Sequence, residues 1–242
     1  MQKFPPFTFT PVGIVHSPYK EKFGIPRQPG LVPEARARLE LFAPYDREEA
    51  LRGLEGFSHV WLVFVFHAIP RGTWKPTVRP PRLGGNERMG VFATRSMFRP
   101  NPIGLSVVEL DGFGRENDRL VLRLRGADLL DGTPVLDIKP YLPYVDAIPD
   151  ARGAYAQLAP ATLPEVAFTP EAATTCAALE PRHPGLTRFI TAVLLQDPRP
   201  GYRTEERGEY GMRLLDFNVR WRAEDERITV FAVETCRDDD SP

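Results

Sequence analysis

Across residues 1–145, apolar positions fall in short runs, some alternating and some continuous, each bounded by Pro or Gly. That texture predicts an all-β domain. The predicted strands are Phe7–His16, Arg38–Phe42, Phe57–His67, Gly90–Arg95, Ile103–Leu110, Arg119–Arg125 and Val135–Lys139. Within Arg119–Arg125 the alternation is clean, with Leu120, Leu122 and Leu124 on one face and Arg123 and Arg125 on the other. Val60–Phe66 is apolar at every position and rich in β-branched and aromatic residues, which predicts a central strand covered on both faces. Trp61, Phe64 and Phe66 then belong to the core. Asp46–Gly53 predicts a short helix ended by glycine.

Residues 140–168 are rich in Pro and Ala and show no strong periodicity, which marks a domain boundary. Beyond it, Pro170–Leu179 and Leu186–Gln196 predict helices, separated by Pro181 and Pro184. A hairpin follows, with arms Tyr210–Arg222 and Arg227–Glu234 turning at Ala223–Glu226, and Asp238–Pro242 reads as a frayed tail. The fold class is therefore mainly β, with a β domain over 1–145 and a smaller α+β domain over 165–237.

Composition adds few constraints. The 242 residues suffice for a sizeable core, and 42% hydrophobic with 26% charged residues is ordinary for a soluble protein. No apolar run reaches the roughly 18 residues that span a bilayer, and the N-terminus lacks the apolar segment of a secretory signal. Cys176 and Cys236 have no metal-type spacing and nothing calls for a disulfide between them, so the cytoplasm is the expected compartment. The net charge is −1, yet Arg71, Lys75, Arg79, Arg82, Arg88, Arg95 and Arg99 stand close together against Glu87 alone. Such a stretch reads either as a phosphate-facing surface or as a solvated arginine-rich loop.

Common catalytic signatures fail. Gly112-Phe113-Gly114 starts a dinucleotide fingerprint, but Asn117 replaces the last glycine and no helix pattern follows, so it reads as a turn. There is no phosphate-binding Gly-x4-Gly-Lys loop and no Gly-x-Ser-x-Gly elbow. His16, His59, His67 and His183 form no zinc-type cluster with the cysteines, so no metal is expected. What remains are polar segments studded with Gly and Pro: SPYKEKFGIPRQPGL, RPPRLGGN, GVFATRSMFRPNPIGLS and DLLDGTPVLDIKPY. Prolines fix φ and glycines allow close approach, so these loops are stiff in a way that suits holding a ligand. Around Arg27-Gln28-Pro29, no apolar residue explains the stiffness by packing. The loops offer guanidinium forks (Arg27, Arg82, Arg95, Arg99), amides (Gln28, Asn86, Asn101) and carboxylates (Asp128, Asp131, Asp137). No Ser or Cys sits beside a matched His, so a transfer governed by positioning fits better than a covalent intermediate.

These segments, from Val12 to Tyr141, resemble those of the TrmO family, also called the YaeB, VirR or TsaA-like family. Later, Asp197-Pro198-Arg199-Pro200-Gly201-Tyr202-Arg203 and Asp216-Phe217-Asn218-Val219-Arg220-Trp221 resemble the C-terminal domain of its bacterial branch. The resemblance implies a single-sheet β-barrel methyltransferase that works as a homodimer. It implies S-adenosylmethionine as cofactor and N6 of threonylcarbamoyl-modified adenosine 37 of threonine tRNA as the methyl acceptor. It also implies cofactor contacts from Arg27, Gln28, Pro29, His67, Ala68, Arg95, Leu105, Asp128, Leu129, Leu130 and Asp131. Ala68 departs from the larger polar residue of some relatives, so only a backbone contact carries over there.

Each of these residues also has a plainer reading. Arg95 can pair with a surface carboxylate, Asp128 and Asp131 can form the turn before Gly132, and His67 can simply close a strand. The catalytic base is not assigned; a carboxylate or a backbone carbonyl would accept the N6 proton. The basic 71–99 segment, together with Arg199, Arg203, Arg220 and Arg222, would grip the anticodon stem-loop. Two other functions remain open: a non-catalytic RNA-binding module, and a methyltransferase of this fold for another adenosine or a small molecule.

Overall fold

The computed structural model describes residues 5–70, 72–83, 86–163, 165–199, 208–224 and 227–236. Arg71, Gly84, Gly85, Pro200–Arg203, Asp225, Glu226 and the tail Asp238–Pro242 lie outside the described residues. In the N-terminal part the strands are β1 (Gly13–His16), β2 (Arg36–Leu41), β3 (His59–Val65), β4 (Thr77–Val78), β5 (Met89–Gly90), β6 (Ile103–Glu116), β7 (Arg119–Arg125) and β8 (Thr133–Pro140). Six of them pair in the order β1-β2-β7-β6-β3-β8, and β8 returns to β1 to close a barrel. The short β4 and β5 form a separate ribbon. The chain continues through α1 (Pro143–Asp146), β9 (Glu165–Phe168), α2 (Pro170–Leu179), α3 (Leu186–Leu195), β10 (Gly208–Leu214), β11 (Phe217–Glu224) and β12 (Arg227–Thr235).

Alternation decides which residues fill the barrel. On β7, Leu120, Leu122 and Leu124 are buried, while Arg123 and Arg125 point outward into ion pairs with Glu116 and Glu109. On β3 only Val60, Leu62 and Phe64 are buried; Trp61, Val63 and Val65 lie half-buried on the outside. The strand is thus covered fully on one face, not both, because a barrel wall has a single interior. Gly104 on β6 faces Phe64 so closely that an added Cβ would lie 2.2 Å from its ring.

Several boundaries differ from the sequence expectation. Phe7–Val12 is not strand, and Asp46–Gly53 holds only a 3-10 turn at Glu48–Leu51, followed by another at Leu54–Gly56. Gly90–Arg95 is not a strand: after Gly90 the chain coils into a 3-10 turn at Val91–Ala93. There Thr94 Oγ1 donates to Val91 O at 2.9 Å, and Arg99 Nη1 to Val91 O and Thr94 O at 3.2 and 2.8 Å. Gly112-Phe113-Gly114 lies inside β6, at a bulge between Leu110 and Phe113 that Gly112 accommodates at φ 101°.

In the C-terminal part the sheet order is β10-β11-β12-β9, with β9 parallel to β12. The run Tyr210–Arg222 is two strands, reversed at Leu215-Asp216 with Leu215 at φ 53°. Helix α2 starts at Pro170, capped by the Thr169 side chain accepting from Ala172 N at 3.3 Å. Amphipathic α3 buries Phe189, Ile190, Val193 and Leu194 against the sheet. Cys176 and Cys236 are both free thiols. Among the described residues, no helix is long and apolar enough to cross a membrane.

The C-terminal core is not built from C-terminal residues alone. Tyr19, Val32 and Ala35, all in the β1–β2 connection, are buried in it, with Phe23 and Ile25 packed alongside. Tyr19 bridges to Leu214, Leu215 N donates to Pro18 O at 2.7 Å, and Arg213 N donates to Glu21 Oε1 at 2.9 Å. The stiffness around Arg27 therefore has a packing cause, supplied by apolar residues a few positions away in sequence.

Candidate active site

The β1–β2 connection reaches back to the barrel as well. Ser17 Oγ donates to Leu129 O at 2.6 Å and Ser17 N to Asp131 Oδ1 at 2.8 Å; Asp131 N donates to Tyr19 O at 2.9 Å. Lys20 Nζ completes the partners of Asp131 at 2.8 Å. At the far end of the connection, Gly30 N donates to Gly126 O at 2.8 Å. Gly126 has φ 67°, and a Cβ there would stand 3.2 Å from Gly30 Cα, so this approach needs glycine. The loop carrying Arg27 and Gln28 is thus held by the 128–131 turn on one side and the C-terminal sheet on the other.

Between this loop, the end of β3, the start of β6 and the 94–99 segment lies a cavity of about 620 Å3. That is within the usual size of a small-molecule site. Arg27, Gln28, His67, Ala68, Arg95, Leu105, Asp128, Leu129 and Leu130 all line it. Pro29 and Asp131 do not. Asp131 is spent on Ser17 and Lys20, so it shapes the loop instead of facing the cavity; Pro29 lies in the loop just beyond Gln28.

Arg95 does not end a strand, and among the described residues it pairs with no carboxylate: its guanidinium donates to Gln28 Oε1, while Gln28 Nε2 donates to Arg27 O. Lys22 donates to Ala68 O, which fixes the chain after β3 through a backbone carbonyl. Asp128 accepts from Ser106 Oγ at 2.6 Å. Burial pushes the Asp128 carboxyl up to about 6, while the Ser106 hydroxyl, a backbone N–H and the Arg95 charge pull the other way. His67 is pushed below its ordinary value, first by desolvation and then by Lys22; a hydrogen bond with the Val65 backbone and the charge of Asp131 oppose this.

Sequence reasoning passed over three of these groups. Ser106 stands on the inward row of β6 with Gly104 and Val108, so a polar residue in an apolar row was the available signal. Lys22 carried no such signal, since its task appears only once the loop is folded. Trp61 lines the cavity from the outer face of β3 and donates to Asp146 Oδ2 at 2.9 Å, so it is wall and not core.

Among the described residues, the cations of the basic 71–99 segment divide between different contacts. Arg95 and Arg99 turn into the cavity wall, Arg82 donates to Leu158 O, and Arg88 donates to Thr77 Oγ1 at 3.2 Å. Arg199 is not available to RNA either. It is 3% exposed, with Nε and Nη2 on Asp197 Oδ1 and Oδ2 at 2.7 and 2.8 Å. Arg222 is exposed and Arg220 half-buried; both pair with Glu209 and lie over Phe231. Arg203 lies outside the described residues.

The wall combines guanidinium groups, a buried carboxylate and apolar surface from Phe66, Leu105 and Leu129. That donor set fits a ligand with a carboxylate, a cationic centre and a flat ring, which are the parts of S-adenosylmethionine.

Comparison with known proteins agrees with this chemistry. Residues 14–147 match the tRNA-methyltransferase O N-terminal domain and residues 160–236 the TrmO C-terminal domain. The chain is 58% identical over 230 residues to the tRNA (adenine(37)-N6)-methyltransferase of Escherichia coli, covering 94% of this chain and 98% of that protein. It is 51% identical to a putative S-adenosylmethionine-dependent methyltransferase of Pseudomonas aeruginosa, covering 88% of this chain and 90% of that protein. A crystal structure of TrmO from P. aeruginosa superposes with a TM-score of 0.80 at 43% identity, covering 96% of this chain and 99% of that one. The chain belongs to the tRNA-methyltransferase O family.

Proposed function

We propose that this protein methylates N6 of adenosine 37 in tRNA with S-adenosylmethionine, and that its acceptor is the N6-threonylcarbamoyl form of that base on threonine tRNA. The observation that carries the reading is the cavity that brings Arg27, Gln28, His67, Ala68, Arg95, Leu105 and Asp128–Leu130 together in a member of this family. A non-catalytic RNA-binding module would have no use for a small-molecule cavity of this composition.

When bound, S-adenosylmethionine supplies an electrophilic methyl group on a sulfonium. The rest falls to the chain. Arg27 and Arg95 hold a carboxylate, and Asp128 lowers the cost of a nearby positive charge. Phe66 and Leu129 keep water from the reacting atoms. Of the two turn aspartates, Asp128 alone lines the cavity; ionised at neutral pH but more basic than a solvated carboxylate, it is the side chain suited to take the N6 proton. Residues 1–145 are the cofactor-binding unit and 165–237 the unit nearer the RNA. Exposed Lys75 and Arg222, with half-buried Arg220, provide cations for the stem-loop.

The reading includes a homodimer in the cytoplasm. Support comes from the rim of the cofactor cavity, where Val65, Ile103 and Leu105 line the opening and Leu105 is 51% exposed. A second copy would cover that rim; sedimentation at monomer mass would remove this part. The activity is tested by mass spectrometry of tRNA nucleosides from a deletion strain. The methylated nucleoside should vanish and return with the gene, and an unchanged profile would sink the reading. Calorimetric titration with S-adenosylmethionine separates an enzyme from a pure binder.

A further inference from the structure

A second cleft, of about 530 Å3, opens on the other side of the 22–27 stretch. Its walls are Lys22–Arg27, Arg79 and Pro81, and the segment after α3 that includes Gln196, Asp197 and Arg199. The two cavities share Lys22, Ile25, Pro26, Arg27 and Pro81. The two cavities therefore share part of one wall.

The charge in this cleft is lopsided. Among the described residues, Lys22, Arg27, Arg79 and Arg199 line it against one carboxylate, Asp197, and both oxygens of Asp197 are occupied by Arg199. Among the described residues, neither Arg27 nor Arg79 forms an ion pair. The remaining surface is apolar, from Phe23, Ile25, Pro26, Pro81, Val193 and Pro198, with the Gln196 amide as a further polar group. Unpaired guanidinium groups in a recess with apolar walls suit an anion on a short organic stem. A backbone phosphate, by contrast, is met by cations on an open, hydrated surface.

We propose that this cleft is the pocket selecting the modified base, and that Arg79 binds the carboxylate of an amino acid carried on the adenine N6. The inference rests on the proposed methyl transfer to tRNA and deepens it: it gives the C-terminal part a share in substrate choice through the segment after α3. Arg79 lines this cleft but not the cofactor cavity, so its role can be separated from cofactor binding.

The test uses the full chain and synthetic anticodon stem-loops carrying N6-threonylcarbamoyladenosine as the free acid or as its methyl ester. Esterification should raise KM about 10–100-fold, the range for losing a hydrogen bond to a charged group, with kcat little changed. Arg79→Ala should raise KM for the acid to near that of the ester, Arg79→Lys should restore part of the difference, and calorimetric affinity for S-adenosylmethionine should stay as in the wild type. Equal use of acid and ester by the wild type would overturn the proposal. So would an equal loss on both substrates in Arg79→Ala, which would mark a backbone-phosphate contact. If no stem-loop is methylated at all, the methyl-transfer reading fails, and equilibrium binding of acid against ester still decides the cleft.

Discussion

Ser106 Oγ donates to Asp128 Oδ1 at 2.6 Å, joining the inward face of β6 to the turn before β8. The hydroxyl favours the ionised carboxylate and holds its pKa below where burial alone would put it. Ser106→Ala should therefore move the acid limb of cofactor binding, set near 6 by Asp128, upward by about one pH unit. Calorimetry of S-adenosylmethionine binding between pH 5 and 8 reads this directly. An identical profile in the variant would mean that Asp128 does not govern the limb.

Asp128 and Asp131 should part company on substitution. Asp128→Asn should cut methyl transfer at saturating cofactor about 100-fold or more. Asp131→Asn leaves the cavity wall intact and should act through the loop, raising the cofactor Kd about tenfold with kcat nearly kept. Stability has its own sign. The Asp128 pKa is raised on folding from 3.8 to about 6, so protonation favours the folded state fully below 3.8, and that advantage is gone above about 6. Asp128→Asn keeps the uncharged form, so it should raise stability at pH 7 by ~1–2 kcal/mol in urea melts.

Gly104 is fixed by contact, not by backbone angle. With a Cβ 2.2 Å from the Phe64 ring, Gly104→Ala must displace a residue that is 5% exposed in the barrel core. The expected cost is about 1–3 kcal/mol in the urea midpoint, with weaker cofactor binding because both residues line the cavity. A variant of wild-type stability would show that Phe64 has room to move.

Arg199→Ala should act on folding and not on RNA. The pair with Asp197 is largely buried, and removing the guanidinium strands a carboxylate whose side chain is 17% exposed. About 3 kcal/mol of destabilisation is expected, with the salt slope of stem-loop binding unchanged. A slope lowered by about one would instead place Arg199 on a phosphate.

How much of this the residues disclosed depends on the range of the interaction involved. Leu120-Val121-Leu122-Arg123-Leu124-Arg125 carried its own pattern, and α2 announced itself through Thr169-Pro170. Tyr210–Arg222 did not disclose its reversal, because Leu215 and Asp216 carry no Gly or Pro to mark a turn. Gly90–Arg95 looked extended until Arg99 and Thr94 drew its carbonyls into a coil. At the site, the residues expected from family resemblance mostly surround one cavity, whereas Lys22 and Ser106 act on partners distant in sequence that no local pattern reveals. Arg199 looked like a surface cation because the carboxylate that occupies it, Asp197, stands only two residues away and reads as part of the same polar loop.

Tyr19, Val32 and Ala35 lie near the start of the chain, yet they sit among Phe189, Leu214 and Trp221 near its end. A ribosome releases the Arg27–Gln28 loop long before it releases the residues that hold that loop in shape. The barrel strands can pair as soon as β8 has emerged, but the loop waits for β10 and β11. A chain cut short before residue 208 would carry its cation-bearing loop without the surface that sets it.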